Sequence, residues 1–226
     1  IDWLVSAKHQ ELLGLVPVID HVIAVNDRSG AEGGLPRLAA IRTLRRTGYD
    51  AAIDMQGLVK SAAFARLSGA RRVIGFSRRY VREPVASVFY STAYDPGGPG
   101  AYAAGEPRHV VRLNLGLLTT LGLRPGQPEF PLKTAASRAA REGQSAAGGP
   151  YVLINPGAAW PNKRWPAERF GALAAALHAS HGLRSIVLWG PDERPLADAV
   201  VAHANGAAVL SPETRIADIR SEEHTS

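Results

Sequence analysis

The sequence contains no cysteine, which excludes disulfide bonds and thiolate metal sites. It also has no apolar run close to the roughly 20 residues that a helix needs to cross a bilayer. The first residues, 1–6, lack the pattern of a signal peptide. With 226 residues, of which 46% are hydrophobic, the chain can bury one large core or two modest ones. These features are typical of a globular protein, and we expect a cytoplasmic one.

Acidic residues are in the minority, because 26 Lys and Arg stand against 20 Asp and Glu and give a formal net charge of +6. No nucleic-acid-binding motif accompanies the scattered cations, so nucleic acid is not expected as a partner. A noncatalytic basic binding module stays an alternative. A basic surface also suits an enzyme whose acceptor is a phosphorylated lipid, because each cation near an anionic membrane is worth about 1 kcal/mol. Peripheral contact with the inner face of the cytoplasmic membrane is compatible with this charge.

Strand and helix signals alternate along the chain, which predicts an α/β fold with parallel, doubly wound sheets. Apolar periodicity weakens after residue 133 in a stretch rich in Ala, Ser and Gly, so an interdomain linker is predicted at 136–149. Residues 91–108 are predicted to form a polar loop. The predicted strands are 2–6, 22–25, 50–55, 72–75, 151–155, 185–189 and 207–210, and the predicted helices are 7–14, 35–47, 57–68, 109–121, 166–181 and 193–204.

Both ends of the chain have an unusual sequence. The chain starts with Ile1 inside a strand-like run rather than with methionine. It ends in Arg220-Ser-Glu-Glu-His-Thr-Ser226, which is similar to one reading frame of a sequencing adaptor. We therefore expect 220–226 to be an adaptor-derived tail and the natural protein to extend beyond both ends.

The segment 155–170 joins an apolar strand to an amphipathic helix through a stiff loop with two tryptophans, three prolines and two cations. Lys163 and Arg164 come just before Pro166, which suits the first position of a helix. The first-turn amides of a helix carry a partial positive charge, so this loop can hold a diphosphate, with Trp165 beside the cations. The alternative is a surface connection whose basic residues are only solvated.

Other residues at the ends of strands can line a nucleotide pocket. Trp160 can wall such a pocket or simply pack the loop on its domain. Trp189 and Gly190 end the predicted strand 185–189 and its turn, and a glycine there lets the backbone approach a ligand closely. The sequence therefore indicates Trp160, Trp189 and Gly190 as candidates for nucleotide contact.

A second polar group follows the predicted strand 50–55. Asp54, Gln56 and Lys60 are expected at the carboxyl end of that strand, where ligands bind in open α/β sheets. The alternatives are a helix-capping role for Asp54 and a solvated role for Lys60. Arg82 and Glu83 can likewise form a surface ion pair of little energetic value.

These segments resemble glycosyltransferase family 9, which includes the heptosyltransferases of lipopolysaccharide synthesis. Residues 156–166 match its P-G-A-x-W-x-x-K-x-W-P motif. Residues 50–63 are similar to a D-x-x-I-D-x-Q-G-L-x-K-S-A segment, and residues 82–90 to an R-E-P-x-A-S-x-F-Y segment, both of the heptosyltransferase I branch. The order and spacing of the three segments agree with the family as well.

The resemblance implies a GT-B fold, in which two Rossmann-like domains face a cleft, with both domains incomplete here. Residues 1–135 would form the acceptor-binding domain and 150–219 the nucleotide-sugar-binding domain. Donor diphosphate binding is expected of Lys163, Arg164 and Trp165. Acceptor binding is expected of Asp54, Gln56, Lys60, Arg82 and Glu83.

The implied reaction of the intact parent is inverting transfer of heptose from ADP-heptose to the lipopolysaccharide inner core on Kdo-lipid A. The family's proposed catalytic base would lie upstream of Ile1, so no catalytic residue is assigned and the chain alone is expected to be inactive. No cofactor or metal is expected, because Lys163 and a helix terminus can supply positive charge to the leaving diphosphate. Another GT-B nucleotide-sugar enzyme, such as an epimerase, stays an alternative.

Overall fold

The structure is a computed structural model that describes residues 1–26, 34–101, 103–105, 108–134 and 136–218. The predicted adaptor-derived tail 220–226 lies outside these residues. Within them, eight strands and seven α-helices follow one another, and every pair of hydrogen-bonded strands is parallel. No helix in this described part is long and apolar enough to cross a membrane.

The chain divides into two compact units. Unit 1 comprises Ile1–Gln10 and Ile19–Pro131, and unit 2 comprises Glu11–Val18 and Leu132–Ser226. The early segment contacts the rest of unit 2; for example, the Lys133 amide donates a hydrogen bond to the Leu15 carbonyl over 2.7 Å. The division therefore falls just after Pro131, except that the short segment Glu11–Val18 belongs to unit 2.

Unit 1 contains two parallel sheets. The first pairs β1 (Asp2–Ser6) with β2 (His21–Val25), and the second has the order β3 (Ala51–Ile53), β4 (Arg72–Phe76) and β5 (Thr92–Tyr94). Residues 73–76 of the central strand β4 are all buried, as expected for a parallel strand covered on both faces.

Among the described residues, three α-helices belong to unit 1, of which the first two connect strands and the third follows β5. They are α2 (Arg37–Thr47), α3 (Val59–Leu67) and α4 (Val110–Gly116), which a 3₁₀ helix continues as Leu117–Leu121. A second 3₁₀ helix, Pro84–Phe89, connects β4 to β5. The core beneath them includes Ile74 and Leu117, neither of which is exposed to solvent.

Unit 2 has one parallel sheet with the order β6 (Tyr151–Ile154), β7 (Arg184–Val187) and β8 (Ala208–Leu210). Four α-helices belong to this unit: α1 (Gln10–Gly14), nearly all of which lies in it, α5 (Arg138–Ala147), α6 (Ala167–His181) and α7 (Arg194–Ala202).

Small residues allow the helices of unit 2 to approach closely. A Cβ atom at Gly171 on α6 would meet the backbone of His203, just after α7. Fully buried alanines, Ala174 on α6 and Ala197 on α7, pack in the same core as Val187. The pairing of α6 with α7 therefore depends on side chains of minimal volume.

Two predictions about local structure are wrong. The expected linker 136–149 contains helix α5, whose buried face consists of Ala140, Gly143 and Ala147. Such small residues hide the apolar periodicity, while the Ser137 hydroxyl caps the helix by accepting from the Ala140 amide over 2.9 Å. The expected loop 91–108 contains β5, a strand of three residues that is too short for a recognisable pattern.

Candidate functional site

The loop after β6 keeps its shape through its own backbone. The side chain of Asn155 accepts a hydrogen bond from the Gly157 amide over 3.2 Å, which forms a turn directly after the strand. A 3₁₀ turn then covers Pro161–Lys163, in which the Lys163 amide donates to the Trp160 carbonyl over 3.0 Å. This fixed turn brings the chain to the start of α6.

Helix α6 begins one residue later than predicted. Pro166 has a ψ of 139° and occupies the N-cap position, so Ala167 is the first helical residue. Proline offers no side-chain acceptor, and no side chain of the described residues caps this end of α6. The first-turn amides therefore keep the partial positive charge on which the prediction of a diphosphate site was based.

The two cations of this loop have different surroundings. Arg164 Nε donates to the Ala158 carbonyl over 2.9 Å, and Arg164 Nη2 lies 3.8 Å from Glu193 Oε1. Lys163 is exposed, and its ammonium group has no hydrogen bond or ion pair with the rest of the described chain. Arg164 thus serves the structure of the loop, whereas Lys163 is the cation left available to an anionic ligand.

A carboxylate that the sequence analysis did not select lies beside this loop. Glu193 Oε2 accepts a hydrogen bond from the Gly190 amide over 3.2 Å. The same carboxylate lies so close to Gly157 that a Cβ atom there would collide with it. Glu193 therefore connects the chain segments that follow β6 and β7. Its position three residues after Gly190 was the only signal in the sequence.

Two of the three tryptophans selected from the sequence contact other parts of the protein, and the third is exposed. Trp165 contacts Phe170 edge to face, with ring centroids 5.0 Å apart, and Trp189 Nε1 donates to the Ser211 carbonyl over 3.0 Å. The guanidinium of Arg194 lies 5.2 Å from the centre of the Trp189 ring. Trp160 is 65% exposed, so a ligand can still cover it.

One hydroxyl at the carboxyl end of β8 adds to this edge of the sheet. Ser211 follows β8 directly and is only 5% exposed, yet its Oγ has no hydrogen-bond partner within the described chain. Together, Lys163, Glu193, Gly190 and Ser211 follow the ends of the three strands of unit 2. Such a set suits a ligand that carries both an anionic group and hydroxyls.

In unit 1, Asp54 holds a turn rather than facing solvent. It is 4% exposed, and its Oδ1 accepts from the amides of Gln56 and Gly57 over 2.9 and 3.3 Å. Its Oδ2 accepts from the hydroxyls of Ser61 and Tyr90 over 3.0 and 2.7 Å. The prediction that Asp54 binds acceptor directly is therefore corrected: its oxygens are occupied by the protein.

The hydrogen bond between the Tyr90 hydroxyl and Asp54 also affects the protonation of Tyr90. Burial of the ring, followed by the hydrogen bond to the Asp54 carboxylate and its charge, raises the pKa of the Tyr90 hydroxyl well above its usual range. Tyr90 therefore stays protonated and keeps donating to Asp54. The pair is a fixed link between the end of β3 and the start of β5.

The two segments that are predicted to bind the acceptor meet in the structure. Gly57 has a φ of 66°, and a Cβ atom there would lie 2.9 Å from the Arg82 amide nitrogen. Glu83 Oε2 accepts from the Val59 amide over 2.7 Å and so caps the start of α3. The side chains of Gln56, Lys60 and Arg82 are exposed around this junction.

The five predicted acceptor residues thus have different surroundings. Asp54 and Glu83 hold the local structure, whereas Gln56, Lys60 and Arg82 lie on the surface at the carboxyl end of β3. Among the described residues, no group of three or more His, Cys, Asp or Glu side chains could hold a metal ion.

The fold and these two clusters define an α/β protein with two Rossmann-like units and polar groups at strand ends. The sequence model of glycosyltransferase family 9 (heptosyltransferase) matches residues 37–220, which is well over half of the chain. The chain belongs to glycosyltransferase family 9.

Curated relatives carry a consistent name. Lipopolysaccharide heptosyltransferase 1 of Pseudomonas aeruginosa is 29% identical over 220 residues, which covers 92% of this chain and 58% of that protein. The enzyme of the same name from Escherichia coli K12 is 27% identical over 195 residues, covering 84% of this chain and 58% of that protein. The chain therefore spans a little over half the length of these relatives.

Solved structures agree with the sequence comparison. E. coli heptosyltransferase WaaC with ADP has a TM-score of 0.72 at 25% identity, over 96% of this chain and 66% of that one. WaaC with ADP-2-deoxy-2-fluoro heptose gives the same TM-score and identity over 68% of its chain. A family 9 structure from Veillonella parvula, 21% identical with a TM-score of 0.70, covers 93% of this chain and 59% of its own, and shares the fold. The predicted fold class of GT-B type is thereby confirmed.

Proposed function

We propose that the chain is part of an inverting glycosyltransferase that transfers heptose from ADP-heptose to the inner core of lipopolysaccharide. The observation that carries this proposal is the contrast between the two adjacent cations of the β6 loop. Arg164 is held within the loop, while Lys163 is exposed just before the uncapped start of α6. The names of the relatives, and the ADP and ADP-2-deoxy-2-fluoro heptose in two similar solved structures, support a nucleotide sugar as donor.

Unit 2 would hold the donor, and its residues act on the charge of the leaving group. As the acceptor hydroxyl attacks the anomeric carbon, the bond from that carbon to the diphosphate breaks and negative charge grows on the phosphates. Lys163 and the first amides of α6 stabilise that charge; the helix fixes the amides, and fixed donors contribute several kcal/mol. Arg164 positions the loop. No residue of this chain is assigned the role of base.

Unit 1 would hold the acceptor, a lipid-linked core saccharide that carries phosphate and carboxylate groups. Lys60 and Arg82 offer positive charge, and Gln56 offers an amide that can bind sugar hydroxyls. Asp54 and Glu83 keep these residues in place through the turn and the start of α3. Such an acceptor lies in a membrane leaflet, so the protein works in the cytoplasm at the inner face of the cytoplasmic membrane.

Calorimetric titration of the chain with ADP, AMP and inorganic phosphate tests the donor half of the proposal. Saturable binding of ADP, with AMP weaker by about tenfold or more, is expected because a second phosphate gains the Lys163 contact. Equal affinities for ADP and AMP would mean that the β6 loop does not hold a diphosphate. No binding of either nucleotide would reject unit 2 as a donor site.

A further inference from the structure

Two valines on the surface of unit 1 lie side by side without cover. Val85 and Val88 belong to the 3₁₀ helix Pro84–Phe89, and they are 59% and 72% exposed. Residues three apart eclipse one another in a 3₁₀ helix, so both side chains lie on one face. Ala86 is fully buried and Phe89 packs against the core, so this helix buries one face and presents valines on the other.

Two cations belong to the chain segments that meet at the start of this 3₁₀ helix. Arg82 comes three residues before Val85, and the carboxylate of Glu83 accepts from the Val59 amide, which brings Lys60 next to the start of the same helix. Both Arg82 and Lys60 are exposed. The only carboxylate within this segment, Glu83, faces the positive end of α3, which compensates part of its charge.

The net positive charge of the chain is concentrated in the same unit. Unit 1 contains 16 Lys and Arg against 10 Asp and Glu, whereas unit 2 contains 10 of each. The formal net charge of +6 therefore belongs to unit 1 alone. A positively charged unit with exposed apolar side chains next to its cations matches the chemistry of an anionic bilayer, which offers negative headgroups above a hydrocarbon core.

We propose that Val85 and Val88, with Arg82 and Lys60 beside them, form a docking surface for an anionic lipid bilayer. We call these four residues the docking surface. The valines would enter the boundary between headgroups and acyl chains, and the two cations would contact the headgroup phosphates. The inference rests on the proposed function for its purpose, since a lipid-linked acceptor lies in such a bilayer, but vesicles without acceptor test it separately.

The experiment is sedimentation of the 226-residue chain with vesicles. Vesicles of phosphatidylcholine with phosphatidylglycerol are compared with vesicles of phosphatidylcholine alone, at low and at high salt. Binding to the anionic vesicles is expected, with a decrease at high salt because the charges are screened. Equal binding to neutral vesicles, or no binding to anionic ones, would overturn the proposal.

Paired variants test the two valines in opposite directions. The double variant Val85→Ser/Val88→Ser should lower the vesicle partition coefficient about tenfold, because it removes exposed apolar surface. Val85→Leu/Val88→Leu should raise it about tenfold, since each added methylene favours the lipid. Two changes of the same sign, or no change in either, would overturn the assignment, and the gain expected of the leucine variant keeps the test valid if the serine variant folds poorly.

Controls come from the opposite edge of the same sheet. The Thr120 carbonyl accepts from Arg72 at the first residue of β4, so the nearby exposed Leu123 and Arg124 lie at the amino edge. Leu123→Ser and Arg124→Ala should leave vesicle binding unchanged, whereas Arg82→Ala should lower it about fivefold. Equal losses at both edges would mean general attraction of unit 1 and no docking surface.

Two further measurements are needed. The first separates the docking surface from the proposed function, and the second separates a bilayer from a second copy of the chain as the occupant of this surface. The Val85→Ser/Val88→Ser variant should bind ADP as the unchanged chain does, so loss of vesicle binding with normal ADP binding concerns this surface and not the proposed function. Analytical ultracentrifugation of the unchanged chain and of the same variant asks whether a second copy covers the valines. A dimer that the variant abolishes would overturn the bilayer as occupant.

Discussion

Arg164 Nη2 lies 3.8 Å from Glu193 Oε1, and this ion pair joins the loop after β6 to the residue that precedes α7. Both side chains are partly shielded from solvent, with 38% and 22% exposed. The pair leaves Arg164 compensated by a carboxylate, whereas the adjacent Lys163 has no ion pair within the described chain. Adjacent cations in one loop thus have different surroundings.

Lys163→Ala should weaken ADP binding by about tenfold to a hundredfold, the scale of one lost charge-assisted contact. Lys163→Arg should restore only part of the affinity, because the planar guanidinium places its charge differently. Calorimetric titration measures both variants. The matched control is Lys133→Ala, an exposed lysine of the same unit, for which no change is expected.

An unchanged dissociation constant for ADP in a folded Lys163→Ala variant would mean that this loop is only a solvated connection between β6 and α6. An equal loss in Lys133→Ala would indicate attraction of ADP by overall charge instead of a contact. Circular dichroism of each variant establishes that it is folded before the titrations are compared.

Tyr90→Phe should lower the free energy of unfolding by about 1.5 to 3 kcal/mol, because it removes a hydrogen bond to a buried carboxylate. Urea denaturation measures this loss. Tyr94→Phe is the matched control, since Tyr94 lies nearby in β5 and its hydroxyl has no hydrogen bond within the described residues. Equal stability of the two variants would contradict the role assigned to the pair of Tyr90 and Asp54.

The main elements of the fold follow from local sequence. Parallel strands that are buried on both faces have continuous apolar runs, and this is why β4 and β7 could be predicted. Helix α6 could be predicted because Gly182, with a φ of 69°, ends it in the left-handed conformation that glycine favours. Helix α5 was missed because its buried face is made of alanine and glycine.

The candidate sites were predicted only in part, because their contacts join distant positions of the chain. Asp54 and Tyr90 are 36 residues apart, so no local pattern could show that the tyrosine occupies the carboxylate. Glu193 is likewise separated from Gly157 and Arg164 by a strand and a helix. The sequence placed the candidate residues at strand ends but did not indicate which of these side chains the protein itself uses there.

Ser185→Ala should leave the free energy of unfolding unchanged or raise it by up to about 1 kcal/mol. Ser185 is fully buried in β7, and its hydroxyl has no partner in the part of the chain that the structure describes. Removing an unpaired buried hydroxyl relieves a desolvation cost. A loss above about 1 kcal/mol in urea denaturation would indicate that the hydroxyl does have a partner.

Ser137→Ala, in contrast, should lower the free energy of unfolding by about 1 kcal/mol, because that hydroxyl caps helix α5. The two variants make the same chemical change in buried serines of one unit. Opposite outcomes are expected because only one of the hydroxyls is known to accept a hydrogen bond. Equal losses of stability in the two variants would mean that the Ser137 hydroxyl stabilises the fold no more than the Ser185 hydroxyl does.

Asp218 should make stability depend on pH. Its Oδ1 accepts from the Ser137 hydroxyl over 2.6 Å and its Oδ2 from the Arg215 amide over 2.8 Å. The Ser137 hydroxyl first, and then the Arg215 amide, lower the pKa of this carboxyl. Since an unfolded aspartate titrates near a pKa of about 3.9, the stabilisation is complete above that pH and is lost as the pH falls through the lower folded pKa.

Asp218→Asn should therefore lower the free energy of unfolding by about 1 kcal/mol near neutral pH, and the difference from the unchanged chain should shrink as the pH falls from about 5 to about 3. Urea denaturation at several pH values measures the difference. In a Ser137→Ala background the effect of Asp218→Asn should become smaller, because the largest cause of the pKa shift is already gone. Stability curves that stay parallel throughout this pH range would show that the carboxylate is not stabilised by folding.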